Sequence, residues 1–246
     1  MLLHRMVSRE TPVAAGLVAL GLRLSAGALE KLERFADRVA EEGLKLGLVG
    51  AGDADRVVTR HLLESAALLP VLVGSDVVDV GSGGGFPGIV LALLGLRVTM
   101  IESRAKAAAF LRAATHELNA SAVVVERSAE EAGRGDLRES VTSASARALA
   151  PIPVALELTL PFVCVGGRVA ILVGPSFDRW RSAASAASGV LGGREPTYLP
   201  LEVPGAPARR WVMIVDKARP TPERYPRRPG VPRRRPLGEG PVTRVD

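Results

Sequence analysis

The residues best equipped for chemistry lie between positions 76 and 102: Asp76-Val-Val-Asp79-Val-Gly81-Ser-Gly83-Gly-Gly85-Phe86-Pro87-Gly88, an apolar run, then Val98-Thr-Met-Ile-Glu102. An apolar strand ends in spaced glycines, Pro87 opens a helix, and a second strand ends in an acid. Gly81, Gly83 and Gly85 let the backbone turn tightly and let a ligand approach where a Cβ would collide. Pro87 suits the first helical turn, where its missing N–H is not needed. The other N–H groups of that turn would face an anionic end of the ligand. Glu102, one strand over, is placed to accept hydrogen bonds from ribose hydroxyls. This unit is read as a site for an adenosine-containing cofactor.

Two cofactor classes compete for it. The dinucleotide spacing G-x-G-x-x-G fits at Gly83, Gly85 and Gly88, but one such match is weak in a chain with 26 glycines. The version with an acid inside the strand end, Asp79-x-Gly81-x-Gly83-x-Gly85, is the form used by methyltransferases that bind S-adenosylmethionine. A glycine-rich turn with no ligand is the bland reading, and strand context on both sides argues against it.

The elements that must hold this unit follow from hydrophobic periodicity. Ser25 caps a helix whose apolar residues Leu29, Leu32, Phe35, Ala36 and Val39 recur at three and four. A second helix is expected from about Arg56 to Leu69, with His61 on its apolar stripe as a packed histidine. Strands are then expected at 76–80, 97–101, 122–126, 141–145 and 168–173, alternating with helices at 87–94, 104–118, 151–162 and 176–189. That alternation signals a parallel sheet. Thr197–Val203 and Arg210–Val215 have no helix between them and read as an antiparallel hairpin. The fold class is α/β: Rossmann-like, mostly parallel, with a C-terminal hairpin and an N-terminal helical extension, the layout of class I S-adenosylmethionine-dependent methyltransferases. The expected division is 1–70 for the extension, 71–216 for the cofactor-binding domain and 217–246 for a basic Pro/Arg-rich tail.

Length and composition bound the remaining classes. The 246 residues are 47% hydrophobic, enough for one large domain, and only 4% aromatic, which points to an aliphatic interior. Cys164 is the single cysteine, so no intramolecular disulfide can form, and its apolar neighbours suggest a buried small hydrophobe. No Cys/His cluster has metal-ligand spacing. The mildly apolar stretch from Pro12 to Leu24 follows His4, Arg5 and Arg9, but Arg23 interrupts it and it is too short to span a bilayer. A cytoplasmic protein is expected. Residues 217–246 hold nine Lys/Arg against three Asp/Glu and so carry the chain's whole net charge of +6. Proline favours an extended backbone there, which leaves arginines for phosphates or merely for solvent.

Several ordered motifs resemble one family: His61-Leu-Leu-Glu-Ser65, the Asp79–Gly88 loop, Ala129-Glu130, Ser145-Ala-Arg147-Ala-Leu-Ala-Pro151 and Tyr225-Pro-Arg-Arg-Pro-Gly-Val-Pro232. Together they are similar to the glucose-inhibited division protein B family, guanine-N7 methyltransferases of bacterial small-subunit ribosomal RNA. The resemblance covers roughly residues 20–237. It implies S-adenosylmethionine as cofactor, with contacts at Gly81, Phe86, Ala129, Glu130 and Arg147, beside Gly83 and Glu102 from the motif itself. It implies 16S ribosomal RNA or the small ribosomal subunit as partner, and by resemblance the guanosine-527-type position near the decoding site. A monomer without membrane association is expected. Where the family often has Asn-Leu-Thr this chain reads Gly47-Leu-Val49, and where it often has Lys-Gly this chain has Val173-Gly174. Those departures bear on RNA contact or helix docking.

The chemistry is compatible on its own terms. Guanine N7 carries a lone pair at neutral pH, so no general base and no covalent enzyme intermediate are needed, and no catalytic residue is assigned. Cytosine-C5 methylation would need a nucleophilic cysteine, whereas Cys164 sits between valines. Enzymes acting on exocyclic amines usually carry Asn/Asp-Pro-Pro-aromatic after the fourth strand, where this chain has Ser145-Ala-Arg147-Ala. An NAD-type oxidoreductase and an RNA-binding assembly factor with a vestigial cofactor site are the alternatives. The first lacks a substrate domain, and the second would show a damaged glycine loop.

Overall fold

Among the described residues, seven strands form one sheet in the order β3-β2-β1-β4-β5-β7-β6. The structure is a computed structural model and describes residues 11–50, 52, 56–204 and 209–238. Strands β1 (Asp76–Val80), β2 (Arg97–Ile101), β3 (Ala122–Val125), β4 (Val141–Arg147) and β5 (Val163–Val173) are parallel. β7 (Arg210–Asp216) runs antiparallel to β5, and β6 (Thr197–Leu201) pairs antiparallel with β7. Val77, Val78 and Val80 of the central strand are all buried, as a strand covered on both faces requires. This is the class I methyltransferase architecture anticipated from the alternating pattern.

One face of the sheet is covered by the N-terminal helices α1 (Pro12–Ala19), α2 (Ala26–Arg38) and α3 (Glu64–Ala66), together with α4 (Gly88–Leu93) and α5 (Ala105–Glu117). Thr11 and Ser25 cap α1 and α2 by accepting from Ala14 N–H and Ala28 N–H. All six residues of α4 are buried, because it lies between the sheet and the extension. The other face carries α6 (Ala129–Ala132), α7 (Ile152–Thr159) and α8 (Arg181–Leu191). The helix expected over residues 56–69 is instead a π-helical segment, Val57–Leu63, that leads into α3 and a 3₁₀ turn at Leu69–Val71. Cys164 is half-buried rather than fully enclosed. Among the described residues no helix is long and apolar enough to cross a membrane. His4, Arg5 and Arg9 lie outside the described residues.

The tail departs most from expectation. Residues 217–238 pack on the body instead of extending from it, and they end in a short helix α9 (Val231–Arg234). Lys217 is fully buried, its Nζ donating to Leu160 O at 2.7 Å and Thr221 Oγ1 at 2.6 Å and pairing with Glu139 at 3.2 Å. Burial pulls its ammonium below the usual lysine range, against the opposing pull of Glu139. Arg134 donates to Pro226 O, and Arg138 donates to the carbonyls of Thr221, Pro222 and Tyr225. A proline-rich segment offers carbonyl acceptors and few N–H donors, so arginines are the complementary partners. The last eight residues, 239–246, lie outside the described residues.

Candidate functional site

The carboxyl ends of β1 to β4 open onto a cavity of about 420 Å³. That is within the range of sites that enclose small molecules. Gly81, Glu102, Ala129 and Glu130 line it, each at or just after the end of one of the first three strands. Gly81 takes a φ of +72°, and a Cβ there would stand 2.5 Å from Leu149 Cδ1. Only glycine holds the turn and leaves Leu149 in the wall.

Glu102 is 5% exposed and braced in place. Its Oε2 accepts from Gly83 N–H at 2.9 Å, and its Oε1 accepts from Arg104 N–H at 2.9 Å and Arg104 Nε at 3.2 Å. The acid therefore fastens the glycine loop to the start of α5. A carboxylate has about four acceptor positions, and these three bonds leave one for a ribose hydroxyl from the cavity. The carboxylates of Glu102 and Glu130, a turn with no Cβ and apolar faces at Ile101, Leu149 and Leu158 fit a nucleoside such as that of S-adenosylmethionine.

Asp79 is wholly buried and does not line the cavity. Its Oδ2 accepts from Gly88 N–H at 3.1 Å and its Oδ1 from Ser145 Oγ at 3.0 Å, which ties β1 to α4 and β4. A Cβ on Gly88 would lie 2.7 Å from that Oδ2. Burial pushes the Asp79 carboxyl up to about 6, against hydrogen bonds from Ser82, Ser145 and Gly88 and with the Glu102 charge adding to the rise. The expectation that the first N–H groups of α4 face a ligand is corrected here. Gly88 N–H is taken by Asp79 and Ile89 N–H by Gly85 O.

Two predicted site residues point elsewhere. The Phe86 ring is buried beneath the loop, 5.0 Å from Phe35 and 5.2 Å from His61 between ring centroids, so it anchors the extension to the glycine loop. Arg147 turns toward the extension as well, meeting His61 Nδ1 and lying 3.9 Å from Glu64. Glu64 is 3% exposed and also pairs with Arg210 at 3.2 Å. Burial raises its pKa, opposed by Arg147, Arg210 and Arg60. Arg147 thus has an acid partner supplied from far upstream, which a search of its sequence neighbours could not find.

Three arginines join the cavity that sequence reasoning did not place there: Arg104, Arg127 and, from the tail, Arg233. The ordered tail motif from Tyr225 to Pro232 was the available signal, because a free tail has no reason to keep a fixed pattern. A second groove of about 270 Å³ adjoins the first at the ends of β4 and β5 and shares Ala148 and Leu149 with it. Phe177, Arg179 and Trp180 stand in its wall. Ala148, between the two spaces, has a φ of +49°. A non-glycine residue in the left-handed region stores strain of about 1–3 kcal/mol, the kind of outlier that clusters at functional sites.

Comparison with known proteins identifies the family. A family model described as rRNA small subunit methyltransferase G matches residues 28–188. A relative of that name from Symbiobacterium thermophilum is 37% identical, covering 90% of this chain and 95% of its own length. One from Pelotomaculum thermopropionicum is 34% identical, covering 92% and 97%. One from Rubrobacter xylanophilus is 38% identical, covering 91% and 89%. Among solved structures, a SAM-dependent O-methyltransferase from Thermotoga maritima aligns over 76% of this chain and 72% of its own at 15% identity and a TM-score of 0.49. Matched along nearly its whole length by relatives of one name, the chain belongs to the rRNA small subunit methyltransferase G family.

Proposed function

We propose that this protein transfers a methyl group from S-adenosylmethionine to N7 of a guanine in 16S ribosomal RNA, at the guanosine-527-type position. The observation that carries the reading is the braced Glu102 beside an intact glycine turn, at the mouth of a nucleoside-sized cavity in a chain of this family. When bound, the cofactor supplies an electrophilic methyl on sulfonium. That methyl would be open to attack by the N7 lone pair with the thioether as leaving group, so the protein would need to move no proton.

The chain's own residues then have only to bind, orient and exclude water. Gly81, Gly83 and Glu102 hold the nucleoside end, with Ala129 and Glu130 beyond β3. Phe86 and Arg147 act from behind by fixing the loop and the β4 end against the extension. The second groove, with Phe177, Trp180 and Arg179 in its wall, is suited to a flat base and reaches the first past Ala148. Positioning nucleophile and methyl in line supplies about 7–11 kcal/mol without an acid or base. The RNA substrate and the cytoplasm as its compartment go together in this reading, and the protein acts as a monomer.

Mapping modified bases in 16S ribosomal RNA with and without the gene tests the assignment. One N7-methylguanosine should vanish in the deletion and return with the wild-type chain. Its persistence, or tight binding of NADH in preference to S-adenosylhomocysteine, would overturn the reading.

A further inference from the structure

Arg233 belongs to the basic tail, yet it forms part of the cavity wall with Glu102, Ala129, Glu130 and Leu149. Its guanidinium donates to Leu149 O at 3.0 Å. Three residues earlier, Gly230 N–H donates to Glu130 Oε1 at 3.0 Å, and Gly230 adopts a φ of +77° as the chain turns into α9. The tail thus touches both lips of the cavity, the β3 side through Glu130 and the β4 side through Leu149. It is held from behind by Arg227, which pairs with the fully buried Glu157, and by the carbonyl contacts of Arg134 and Arg138.

We propose that residues 227–233 are a strap across the adenosine end of the cofactor cavity, and that Arg233 contacts the bound nucleoside. This rests on the S-adenosylmethionine reading given above. Around Arg233 the wall is apolar at Leu149 and Leu158 and carries the Glu130 carboxylate. That suits an uncharged purine better than the carboxylate of a methionine end. A guanidinium stacks on aromatic faces and donates to ring nitrogens, both of which adenine offers. Because the strap and the nucleoside share a contact, each must strengthen the other by the same factor.

The test is calorimetry on the full chain with two probes: S-adenosylhomocysteine, and 5′-methylthioadenosine, which lacks the amino-acid end. Arg233→Ala should weaken both by roughly 3- to 30-fold, the range for a lost cation–π or charged contact. Arg235→Ala, an exposed arginine outside the cavity wall, should leave both unchanged. As an independent readout, S-adenosylhomocysteine should slow trypsin cleavage after the tail arginines in the wild type and do so less in Arg233→Ala. Unaltered affinity of Arg233→Ala for both probes overturns the strap. A loss confined to S-adenosylhomocysteine places Arg233 at the carboxylate and overturns the adenosine assignment. Failure of the wild-type chain to bind either probe removes the cofactor reading itself, and the strap with it.

Discussion

Arg227→Ala is the sharpest probe of how the tail is held. The Arg227 side chain meets Glu157 three times, Nε at 2.8 and 3.1 Å and one terminal nitrogen at 2.5 Å, while its backbone N–H donates at 2.8 Å. Glu157 is 0% exposed, and the Arg227 side chain is 23% exposed. Truncating the arginine leaves a carboxylate in the interior with only the backbone N–H. Removing one partner of a buried pair costs about 3–5 kcal/mol, because the remaining charge is uncompensated. The partial exposure of Arg227 lets water into the vacated space, so the lower end applies, about 3 kcal/mol. For a chain of this size that corresponds to a drop of roughly 6–12 °C in melting temperature.

The reverse change should be milder. Glu157→Gln keeps an oxygen for the Arg227 N–H and leaves a guanidinium that can draw water at its exposed edge, a loss of about 1–2 kcal/mol. Replacing both residues by leucine should recover most of the loss, since a buried pair gains little over apolar packing. Thermal unfolding followed by circular dichroism, at low and high salt, reads all three. The Arg227→Ala deficit should barely change with salt, unlike that of an exposed pair. A melting temperature within about 2 °C of wild type, or Glu157→Gln as the more damaging change, would refute the reasoning.

Glu102→Ala should weaken S-adenosylhomocysteine binding by roughly 1–3 kcal/mol, through lost ribose hydrogen bonds and a loosened Gly83 turn, and unchanged calorimetric affinity would remove the ribose assignment. Asp79 makes a pH prediction: its folded value of about 6 lies above the ordinary 3.8. The native state then binds the proton more tightly than the unfolded chain, so this group's contribution to stability rises as pH falls from about 6 to about 4 and is flat above that window. Relative to Asp79→Asn, the wild type should gain up to about 3 kcal/mol on acidification across it, measured by denaturant unfolding, and a constant difference would refute the coupling. Arg234→Ala with Arg235→Ala should lower RNA affinity and flatten its salt slope by just under one unit per lost phosphate contact, roughly, while cofactor affinity stays unchanged; an unaltered slope would mean that these arginines touch no phosphate.

The sheet was legible because each strand is a short apolar run and each crossover a helix-length segment, and these signals are local. The glycine turn and Glu102 were legible for the same reason, since a strand end fixes where its next residue faces. Three features were not. Phe86 lies within the loop motif, but its ring direction depends on Phe35 and His61, which arrive from the extension. Arg147 has no acid nearby in sequence, and its partner Glu64 comes from a segment whose π-helical winding no periodicity announced. Asp79 reads only as the acid of the loop motif, with no role attached, and its burial reveals that it fastens the turn from beneath.

The tail shows why a charge count along the sequence misleads about where charge is available. Summed by position, residues 217–246 carry the whole surplus. In the fold, Lys217 faces Glu139 and Arg227 faces Glu157, so two of those cations are neutralised by acids of the body. Those acids leave body cations such as Arg134 and Arg138 to be met by tail carbonyls rather than by carboxylates. The positive surface is therefore shared across the seam between tail and body. Arg219, Arg224, Arg228, Arg233, Arg234 and Arg235 remain exposed; the last three fall on or beside α9, and of them Arg233 lines the cavity at the ends of β1 to β4. Charge that would attract phosphate thus stands at the same edge as the cavity that the proposed function assigns to the methyl donor. Under the proposed function, an RNA drawn to that edge by salt-sensitive contacts would be delivered to the side of the sheet where ligands bind in open α/β folds.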